Sequence, residues 1–426
     1  MKILLVGGGG REHALAWKIR HSHLCEQLFI APGNAGTDLC GENVDIKATE
    51  FDKLADFCLE KEIDIVIVGP EEPLVKGIYD FFKKKSSTEH IHVIGPSKDA
   101  AQLEGSKAFA KEFMHRYNIP TATYKEFTLS NYEEGVEYIR NHPLPVVLKA
   151  DGLAAGKGVI ICTNRLEALA EFELIIQRAK FGEAGKRVVV EQFLEGIEIS
   201  VFALTDGINY VLLPNAKDYK RVGVGDTGPN TGGMGAVSPV PFADDVFMEK
   251  VKTRIVEPTV TGLKKDKLEY KGIIFFGLIS VKDEPYVIEY NCRFGDPETE
   301  VVVPRIKNDL VELLVATSQQ RLNEIKIEID EQTAVTVVAV SGGYPDGYQT
   351  GKVIEGLDDS IIEGSIIFHS GTQKVDDKVV TAGGRVLTVT SFGDTIREAA
   401  EQSTYMLEQI YFDGIYFRED IGYEFK

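Results

Sequence analysis

Residues 146–162 read VVLKADGLAAGKGVIIC, and this stretch decides how the centre of the chain folds. Two apolar runs, Val146–Lys149 and Val159–Cys162, flank a loop that holds three glycines and a lysine. A Walker phosphate loop needs Ser or Thr after its lysine and a helix behind it, but Gly158 and a strand follow Lys157. A plain hairpin turn needs fewer glycines. The stretch therefore predicts a strand–loop–strand flap that can close over nucleotide phosphates and donate N–H groups to them.

On the N-terminal side, short apolar strands alternate with helical patterns. The predicted strands are residues 2–7, 28–31, 63–68 and 91–94. Three of the strand ends carry turns that combine glycine and proline, namely Pro32-Gly33, Gly69-Pro70 and Gly95-Pro96. Such alternation is typical of parallel βαβ units, which bind ligands at the carboxyl ends of their strands. We predict an N-terminal α/β substrate domain over residues 1–103.

The glycine run Gly7–Gly10 invites comparison with a dinucleotide-binding fingerprint. The third glycine position is occupied by Glu12, and the second strand ends in Pro32-Gly33-Asn34, where an NAD site needs an acidic residue. NAD binding is therefore disfavoured. The N–H groups ahead of the following helix can still cradle a phosphate, with Arg11 adding charge. The alternative is a tight strand–helix turn with no ligand.

On the C-terminal side the pattern changes twice. A long helical stretch over residues 97–117 precedes the flap, and strands at 188–192 and 197–204 follow it. A long loop rich in Gly and Pro then runs to about Pro241, before paired strands over 272–291 and a strand-rich region from about Gln332 that ends in a helix over 395–409. We predict a central domain over 104–325, with a lid at about 120–190, and a C-terminal domain over 326–426. The fold class is α/β, and α+β overall.

Glu289, Asn291 and Arg293 share one face of a predicted strand, because alternate side chains of a strand point the same way. A carboxylate and an amide oxygen at this spacing suit Mg²⁺, a hard cation that also keeps phosphate ligands. Arg293 can hold a transferred phosphoryl group with two hydrogen bonds. The spacing alone is weak, since polar faces of strands are common. His13, His115 and His369 have no partner at ligand spacing, so we expect structural or exposed histidines.

The composition limits the classes of partner. The chain has 426 residues, a net charge of −19 and no basic stripe, which argues against a nucleic-acid partner. Any phosphate site must be built locally. No apolar run approaches ~18 residues, so we expect no membrane span. Five cysteines without a CxxC pair indicate reduced thiols and a cytoplasmic location.

Taken in order, these features resemble the ATP-grasp superfamily, whose two-lobed ATP-binding centre closes with a mobile glycine-loop lid. The resemblance implies that ATP phosphates are held by Lys107, Lys149 and the loop residues Gly152, Gly156, Lys157 and Gly158. It implies an adenosine site at Glu191, Gln192, Leu194 and Glu198, in which Glu198 binds the ribose. It implies that Glu289 and Asn291 bind Mg²⁺ (or Mn²⁺), with ATP as co-substrate.

A closer resemblance, over essentially the whole chain, is to the phosphoribosylamine–glycine ligase family. The segments that carry it are residues 8–14 (GGGREHA), 31–37 (APGNAGT), 68–74 (VGPEEPL), 230–235 (NTGGMG) and 291–299 (NCRFGDPET). It implies that ATP, glycine and 5-phosphoribosylamine give ADP, phosphate and glycinamide ribonucleotide, a step of purine synthesis, through glycyl phosphate. The implied catalytic residues are Arg293, Lys149 and Asp296. The implied substrate-binding residues are Gly9, Gly10, Arg11, Asn34, Glu71, Asp218, Lys220, Gly233, Arg293 and Asp296.

The chain departs from the family pattern in two places. Lys217 and Tyr219 stand where Gln and His are usual. The stretch Gly277–Ser280 lacks the extra acidic metal ligand that many ATP-grasp enzymes supply from this strand, which implies fewer protein ligands to the metal. The alternatives are another ATP-grasp carboxylate–amine ligase or carboxylase of purine metabolism, or a nucleotide sensor without catalysis. We expect a monomer or a weak homo-oligomer.

Overall fold

The computed structural model describes residues 1–153, 158–178, 180–357 and 364–425. Two residues of the predicted phosphate loop, Gly156 and Lys157, lie outside these ranges. Among the described residues, no helix combines the length and the apolar character that crossing a membrane requires.

The N-terminal region builds a parallel sheet between helices. Its elements are β1 Lys2–Gly7, α1 Gly10–Arg20, β2 Gln27–Pro32, β3 Glu42–Asn43, α2 Phe51–Lys61, β4 Ile65–Val68, α3 Glu71–Lys76, α4 Ile78–Lys84 and β5 His92–Pro96. The strand order is β5-β4-β1-β2-β3, with every pair parallel. Ile3 and Leu5 pack toward α1, while Leu4 and Val6 pack toward α2 and α4, so β1 is buried on both faces. The turns after β1, β2 and β4 consequently meet at one edge.

The region predicted as a lid contains a separate antiparallel sheet with its own core, which we call the lid sheet. Its elements, with the two helices that lead into it, are α5 Gln102–Gly105, α6 Lys107–Arg116, β6 Tyr124–Thr128, α7 Tyr132–Asn141, β7 Val146–Ala150, β8 Val159–Cys162, α8 Arg165–Ile176 and β9 Arg187–Gln192. The strand order is β6-β9-β7-β8. Phe127, Leu148 and Phe172 are fully buried in the lid core. β7 and β8 pair from Val146↔Cys162 to Lys149↔Val159, which is the predicted strand–loop–strand arrangement.

The central region extends the N-terminal sheet. Its elements are β10 Ile197–Thr205, β11 Tyr210–Leu212, β12 Lys217–Asp218, β13 Arg221–Gly223, β14 Thr227–Asn230, β15 Gly235–Ser238, α9 Asp245–Val251, α10 Glu257–Lys265, β16 Tyr270–Val281, β17 Glu284–Asn291, α11 Thr299–Arg305 and α12 Leu310–Ser318. β16 pairs antiparallel with β5, β10 and β17, so nine described strands form one sheet. Lys282 and Asp283, both with positive φ, make the tight turn between β16 and β17.

The C-terminal region forms a second antiparallel sheet. Its elements are β18 Thr333–Val340, β19 Ser365–His369, β20 Thr372–Val375, β21 Lys378–Thr381, β22 Arg385–Gly393 and α13 Ile396–Glu408. The sheet order is β12-β15-β18-β22-β19, so two of its strands come from the central region. The predicted final helix is α13, which begins after the capping residue Thr395.

The predicted fold class is confirmed, but two local predictions were wrong. The helix predicted over 97–117 is broken at Ser106, which has extended φ/ψ angles of −138° and 114°. Its Oγ accepts a hydrogen bond from the Phe109 N–H (3.1 Å) and donates one to Asp151 Oδ1 (2.9 Å), so a tertiary contact fixes the break. The segment predicted as a loop to Pro241 contains the short strands β11–β15. β11 pairs with the preceding β10, β12 with β15 and β13 with β14, and among the described strands of this segment only β15 pairs with a distant strand, β18.

Candidate active site

The lid cleft is a cavity of about 210 Å³ between the lid sheet and β17. Its charged and amide side chains are those of Glu71, Glu104, Lys107, Lys111, Lys149, Glu191, Glu289, Asn291 and Arg293. Five predicted ATP-binding residues line it together: Lys107, Lys149, Gly152, Gly158 and Glu191. Lysine and arginine side chains, glycines of the loop, and carboxylate and amide oxygens therefore surround one cavity.

The floor of the lid cleft is built by strand alternation. Leu148 and Val190 point into the lid core, so their neighbours Lys149 and Glu191 point the other way, into the cleft. Both charged side chains are buried, and Lys149 Nζ lies 2.9 Å from Glu191 Oε2. Lys149 also donates to the Ile288 carbonyl (3.1 Å). Lys107 lies on a different wall of the cleft and donates to the Gly152 carbonyl (3.3 Å).

The link from the lid to the central sheet carries Gln192 and Leu194. The Gln192 N–H donates to the Thr123 carbonyl (3.0 Å), and its side chain is exposed. Leu194 is half-buried ahead of β10. Neither side chain is among the residues that line the lid cleft. Any contact they make with a base must come from their backbone, as the resemblance implies.

The carboxylate cavity, also about 210 Å³, shares Glu289, Asn291 and Arg293 with the lid cleft. It is lined by Glu198, Ser200, Asp218, Lys220, Glu289, Asn291, Arg293, Asp296 and Glu298, among others. Lys220 Nζ lies 2.6 Å from Glu198 Oε2 and 4.0 Å from Asp218 Oδ1. Burial lowers the pKa of Lys220, but the two carboxylates outweigh burial and raise it well above its usual value. A predicted ATP residue, Glu198, is thus paired with a predicted substrate residue.

Glu289 and Asn291, the predicted metal ligands, line both cavities. They share a face of β17, and Tyr290 between them is buried on the other face. Their oxygens fit a hard divalent cation that keeps ligands from phosphate and water. Asn291 Oδ1 accepts one hydrogen bond from Arg293 (3.3 Å), which leaves a lone pair free. A Cβ on Gly277, opposite Glu289, would lie 3.1 Å from Glu289 Cγ, so the position carries no third acidic ligand and little room for one.

The arginine cavity, about 630 Å³, lies at the edge where the N-terminal turns meet the C-terminal sheet. Arg11, Arg293 and Arg385 line it, each paired with a carboxylate. Arg11 Nε lies 2.6 Å from Glu12 Oε1. Arg293 NH2 lies 2.9 Å from Glu104 Oε1, and its Nε lies 3.5 Å from Glu71 Oε2. The cavity is therefore rich in charge, but its cations are already engaged.

Asp296 joins two arginines in this cavity. Arg385 NH2 lies 3.0 Å from Asp296 Oδ1, and the Arg11 N–H lies 3.5 Å from Asp296 Oδ2. Burial raises the pKa of Asp296, but Arg385 and Arg11 lower it by more, so the pKa stays below its usual value. Asp296 is consequently a carboxylate at neutral pH and offers negative charge to an amine.

Three predicted substrate residues are absent from the residues that line these cavities. Asn34 is buried behind the turns: its amide donates to the Gly8 and His369 carbonyls (3.0 and 2.8 Å) and accepts from two backbone N–H groups. A Cβ on Gly10 would lie 2.4 Å from Glu300 Oε1, so Gly10 permits close packing. Gly233 has φ of 117° and packs on Pro297, while Gly232 beside it lines the arginine cavity. In this structure these three residues shape the site from behind.

Sequence reasoning missed several charged residues that the fold brings to the site: Glu104, Lys111, Glu298, Glu300 and Arg385. The sequence could have indicated Lys111, because it lies one helical turn after Lys107 and therefore on the same helix face. Burial and Asp218 raise the pKa of Glu298 to about 7. Arg385 follows Gly383-Gly384 in a distant domain, and only the tertiary fold places it beside Asp296.

Lys217 and Tyr219, which stand where Gln and His are usual in the family, contact each other. Lys217 Nζ lies 2.5 Å from Glu424 Oε1 and 4.0 Å from the centroid of the Tyr219 ring. The Tyr219 hydroxyl donates to Glu424 Oε2 (2.7 Å). Lys217 and Tyr219 therefore hold the segment around Glu424 against the strand that carries Asp218.

Comparison with known families matches most of the chain to three models. They are the phosphoribosylglycinamide synthetase N domain (residues 1–104), ATP-grasp (A) domain (residues 105–299) and C domain (residues 334–424).

Curated relatives agree with the family models. The chain is 47% identical to phosphoribosylamine–glycine ligase from Escherichia coli (strain K12), over 99% of this chain and 98% of that protein. It is 44% identical to the enzyme of the same name from Caldanaerobacter subterraneus subsp. tengcongensis, over 99% of each.

Solved structures support the same family. The crystal structure of phosphoribosylamine–glycine ligase from Thermotoga maritima matches with a TM-score of 0.84 and 34% identity, covering 99% of this chain and 100% of that one. Biotin carboxylase from Campylobacter jejuni matches at 16% identity with a TM-score of 0.73, covering 97% and 92%, which shows a shared fold alone. The predicted family and enzyme class, an ATP-dependent ligase, are confirmed. The chain belongs to the phosphoribosylglycinamide synthetase family.

Proposed function

We propose that this chain ligates glycine to 5-phosphoribosylamine, with ATP as co-substrate, through a glycyl phosphate intermediate. The observation that carries the proposal is the position of Arg293, which lines the lid cleft, the carboxylate cavity and the arginine cavity. One guanidinium can therefore contact a phosphoryl group arriving from one side and an amine substrate held on the other.

The chemistry requires two displacements. A carboxylate oxygen of glycine attacks the γ-phosphorus of ATP, the bond to the bridging oxygen breaks, and ADP leaves. The amine nitrogen of phosphoribosylamine then attacks the carbonyl carbon, the carbon–oxygen bond to phosphate breaks, and the nitrogen loses a proton. Well-held geometry can supply about 7–11 kcal/mol of the barrier. Guanidinium and ammonium groups fixed where charge develops supply electrostatic stabilisation.

ATP is placed in the lid cleft. Lys107, Lys149, Gly152 and Gly158 face its phosphates, and Glu191 with the backbone to Leu194 holds the base. We assign Glu198 to the ribose. Glu198 lines the carboxylate cavity and also pairs with Lys220, so it would contact both the ribose and Lys220. Gly156 and Lys157 complete the phosphate loop in this proposal.

The cation is placed on Glu289 and Asn291. We propose Mg²⁺, with Mn²⁺ as the alternative, because both residues offer oxygen donors of the kind these ions prefer. The bound ion would neutralise charge on the ATP phosphates. Glu289 and Asn291 hold it between the two cavities, beside Arg293.

The phosphoribosylamine is placed in the arginine cavity, where Gly9, Arg11, Glu71 and Asp296 meet. The N-terminus of α1 and the three arginines attract the phosphate of the substrate. Asp296, held as a carboxylate, orients the amine. Asp218 and Lys220 lie across Arg293, in the carboxylate cavity, and are placed on the glycine side.

The described structure contains five free cysteines, which supports a reducing, cytoplasmic environment. A monomer or a weak homo-oligomer remains our proposal for the assembly state. The rival function, a purine-pathway carboxylase of the same fold, is disfavoured by the segment over residues 293–299 together with the loop over residues 230–235.

The test is an isotope-transfer experiment. Glycine with both carboxyl oxygens labelled as ¹⁸O is supplied with ATP, metal and freshly generated phosphoribosylamine. Mass spectrometry should find one label in each released phosphate and one in the amide product. ADP release that needs neither glycine nor phosphoribosylamine would contradict the ligase. Label found only in the product would contradict the acyl phosphate alone.

A further inference from the structure

Lys111 is a buried lysine that the proposed function leaves without a role. It lies one turn after Lys107 on α6, so both side chains reach the lid cleft from one helix face. Lys111 is 2% exposed, whereas Lys107 is half-buried. An ammonium group this deep needs a compensating partner, because burying an unpaired charge is costly.

That partner is Glu191, which two lysines share. Lys111 Nζ lies 3.2 Å from Glu191 Oε2, and Lys149 Nζ lies 2.9 Å from the same oxygen. Glu191 Oε1 is buried and has no hydrogen-bond partner in the part of the chain that the structure describes. One oxygen of the carboxylate therefore carries both lysines, and the other, called the open oxygen below, is buried and unpaired on a residue that lines the cleft.

The hydrogen bonds of Lys111 exclude a direct phosphate contact. Besides Glu191, it donates to Thr121 Oγ1 (2.7 Å) and to the Ala122 carbonyl (3.3 Å). An ammonium group has three donors, so none is left for a ligand. Lys149 has one donor beyond Glu191 and Ile288 and can still reach a nucleotide. Lys111 consequently acts on a ligand only through Glu191.

We propose that Lys111 is a positioning residue that fixes Glu191 so that its open oxygen selects a purine with an exocyclic amino group over one with a carbonyl there. This inference rests on the proposed ATP site. The open carboxylate oxygen is an acceptor and lacks a donor, and the amino group of adenine supplies one. A carbonyl at the same position, as in hypoxanthine, would place two acceptors together and leave the carboxylate unsatisfied.

Without Lys111, the Glu191 carboxylate can rotate so that its open oxygen also pairs with Lys149. Two ammonium groups on one oxygen, anchored by α6 and β7, hold the carboxylate at two points. Burial lowers the pKa of Lys111 to about 8, Glu191 opposes this and Lys149 adds to it, so the ammonium form dominates at neutral pH. Discrimination between purines should therefore depend on Lys111, although no donor of Lys111 is available to the base.

The test measures binding of MgATP and MgITP by calorimetry, without glycine or phosphoribosylamine. The unaltered chain should bind ATP at least tenfold more tightly than ITP. Lys111→Met should weaken ATP binding about tenfold and ITP binding less than threefold, so the ratio approaches one. Lys111→Arg, which keeps the charge, should retain part of the preference. Lys271→Met, which removes a half-buried lysine that donates to the Ser318 carbonyl (2.7 Å) far from the cleft, is the matched control and should change neither affinity.

A double-mutant cycle separates positioning from a loss of structure. Glu191→Gln alone should remove the preference, and adding Lys111→Met should change it by less than twofold. Equal weakening of ATP and ITP by Lys111→Met, or additive effects in the cycle, would overturn the inference. If Lys111→Met fails to fold, the ratio of ATP affinity to ITP affinity in Lys111→Arg and in Glu191→Gln decides. An unchanged preference for ATP in Glu191→Gln would overturn the inference. The binding measurements contain neither glycine nor phosphoribosylamine, so they test this inference and not the ligation. Failure of the isotope-transfer experiment would refute the proposed reaction and leave this inference standing.

Discussion

The lid cleft and the arginine cavity differ in how their charges are held. In the lid cleft, a single carboxylate receives two lysines and keeps one oxygen open. In the arginine cavity, each of the three arginines already has a carboxylate partner. In the lid cleft, a ligand can donate a hydrogen bond to the unpaired oxygen without breaking an existing ion pair. The arginine cavity must exchange partners when a phosphate arrives, since the arginines have to turn from protein carboxylates to the ligand. We therefore expect the arginine cavity to reorganise more on binding.

Arg293 belongs to both sites, so its removal should have the largest effect. Arg293→Met should lower kcat by about 10³-fold, because a charged group aimed at the transferred phosphoryl is lost. ATP affinity should change less than threefold. Steady-state ADP release and nucleotide calorimetry measure the two quantities. Arg116→Met, at an exposed ion-paired arginine, is the control. A normal kcat in Arg293→Met would break the idea that this residue joins the two sites.

Glu289 tests the border between the sites. Glu289→Gln keeps the shape of the side chain and removes its charge, so turnover should fall about 10²-fold through loss of a metal ligand. The thermal unfolding midpoint should stay within about 2 °C, since the side chain is only half-buried. Activity is measured across Mg²⁺ and Mn²⁺ concentrations. A near-normal kcat at low Mg²⁺ would contradict the metal assignment.

Arg385 sharpens the comparison, because it lies in the arginine cavity alone. Arg385→Met should raise KM for phosphoribosylamine about 30-fold, through lost phosphate attraction and a disturbed Asp296, and leave KM for ATP within twofold. Substrate-saturation curves for both substrates give the answer. Arg397→Met, on the exposed face of α13, should change neither. A rise in KM for ATP alone would show that the two sites are not separable in this way.

Tyr219 probes the support behind the carboxylate cavity. Tyr219→Phe removes the hydrogen bond to Glu424, whose second oxygen still pairs with Lys217, and should cost about 1.5 kcal/mol of the free energy of unfolding. Chemical denaturation measures this loss. Phenylalanine keeps the ring under Lys217, so kcat should stay within twofold. Tyr405→Phe, at an exposed ring, is the control. A large fall in kcat without loss of stability would assign Tyr219 a direct role in the reaction.

The smallest effect concerns acid sensitivity behind the arginine cavity. The backbone N–H of His369 donates to His13 Nδ1 (2.7 Å), and burial lowers the pKa of His13 to about 3 and that of His369 to about 4. Both folded-state pKa values lie below the unfolded value, so stability is present above about pH 6.5 and falls as the pH drops toward 4. Glutamine at position 13 keeps an acceptor but does not titrate. Between pH 6.5 and 5.5, His13→Gln should lose about 1 kcal/mol less than the unaltered chain in denaturation experiments. An equal loss of unfolding free energy in His13→Gln and in the unaltered chain would contradict the assignment of His13 as a buried, neutral histidine.

The sequence predicted several residues that line the lid cleft, because the relevant features are local. Lys149, Gly152 and Gly158 lie within one strand–loop–strand unit, and the spacing of Glu289 and Asn291 places both on one strand face. Glycine positions and strand alternation are dictated by neighbouring residues, so a single segment suffices to infer them. The predicted family, reaction and fold class followed from the order of such segments along the chain.

Only the tertiary structure decided which charged and polar side chains pair with each other. Arg385 meets Asp296, Lys111 meets Glu191, and Lys217 with Tyr219 meets Glu424 across long stretches of sequence. Ser106 breaks a helix because of a contact with Asp151 in the lid. Coulomb attraction and hydrogen bonding act between atoms a few ångströms apart, whatever their separation in sequence. The sequence by itself therefore determined which chemical groups the chain carries and which local turns hold them, whereas the packing of the sheets decided which charges are paired and which carboxylate oxygen stays open.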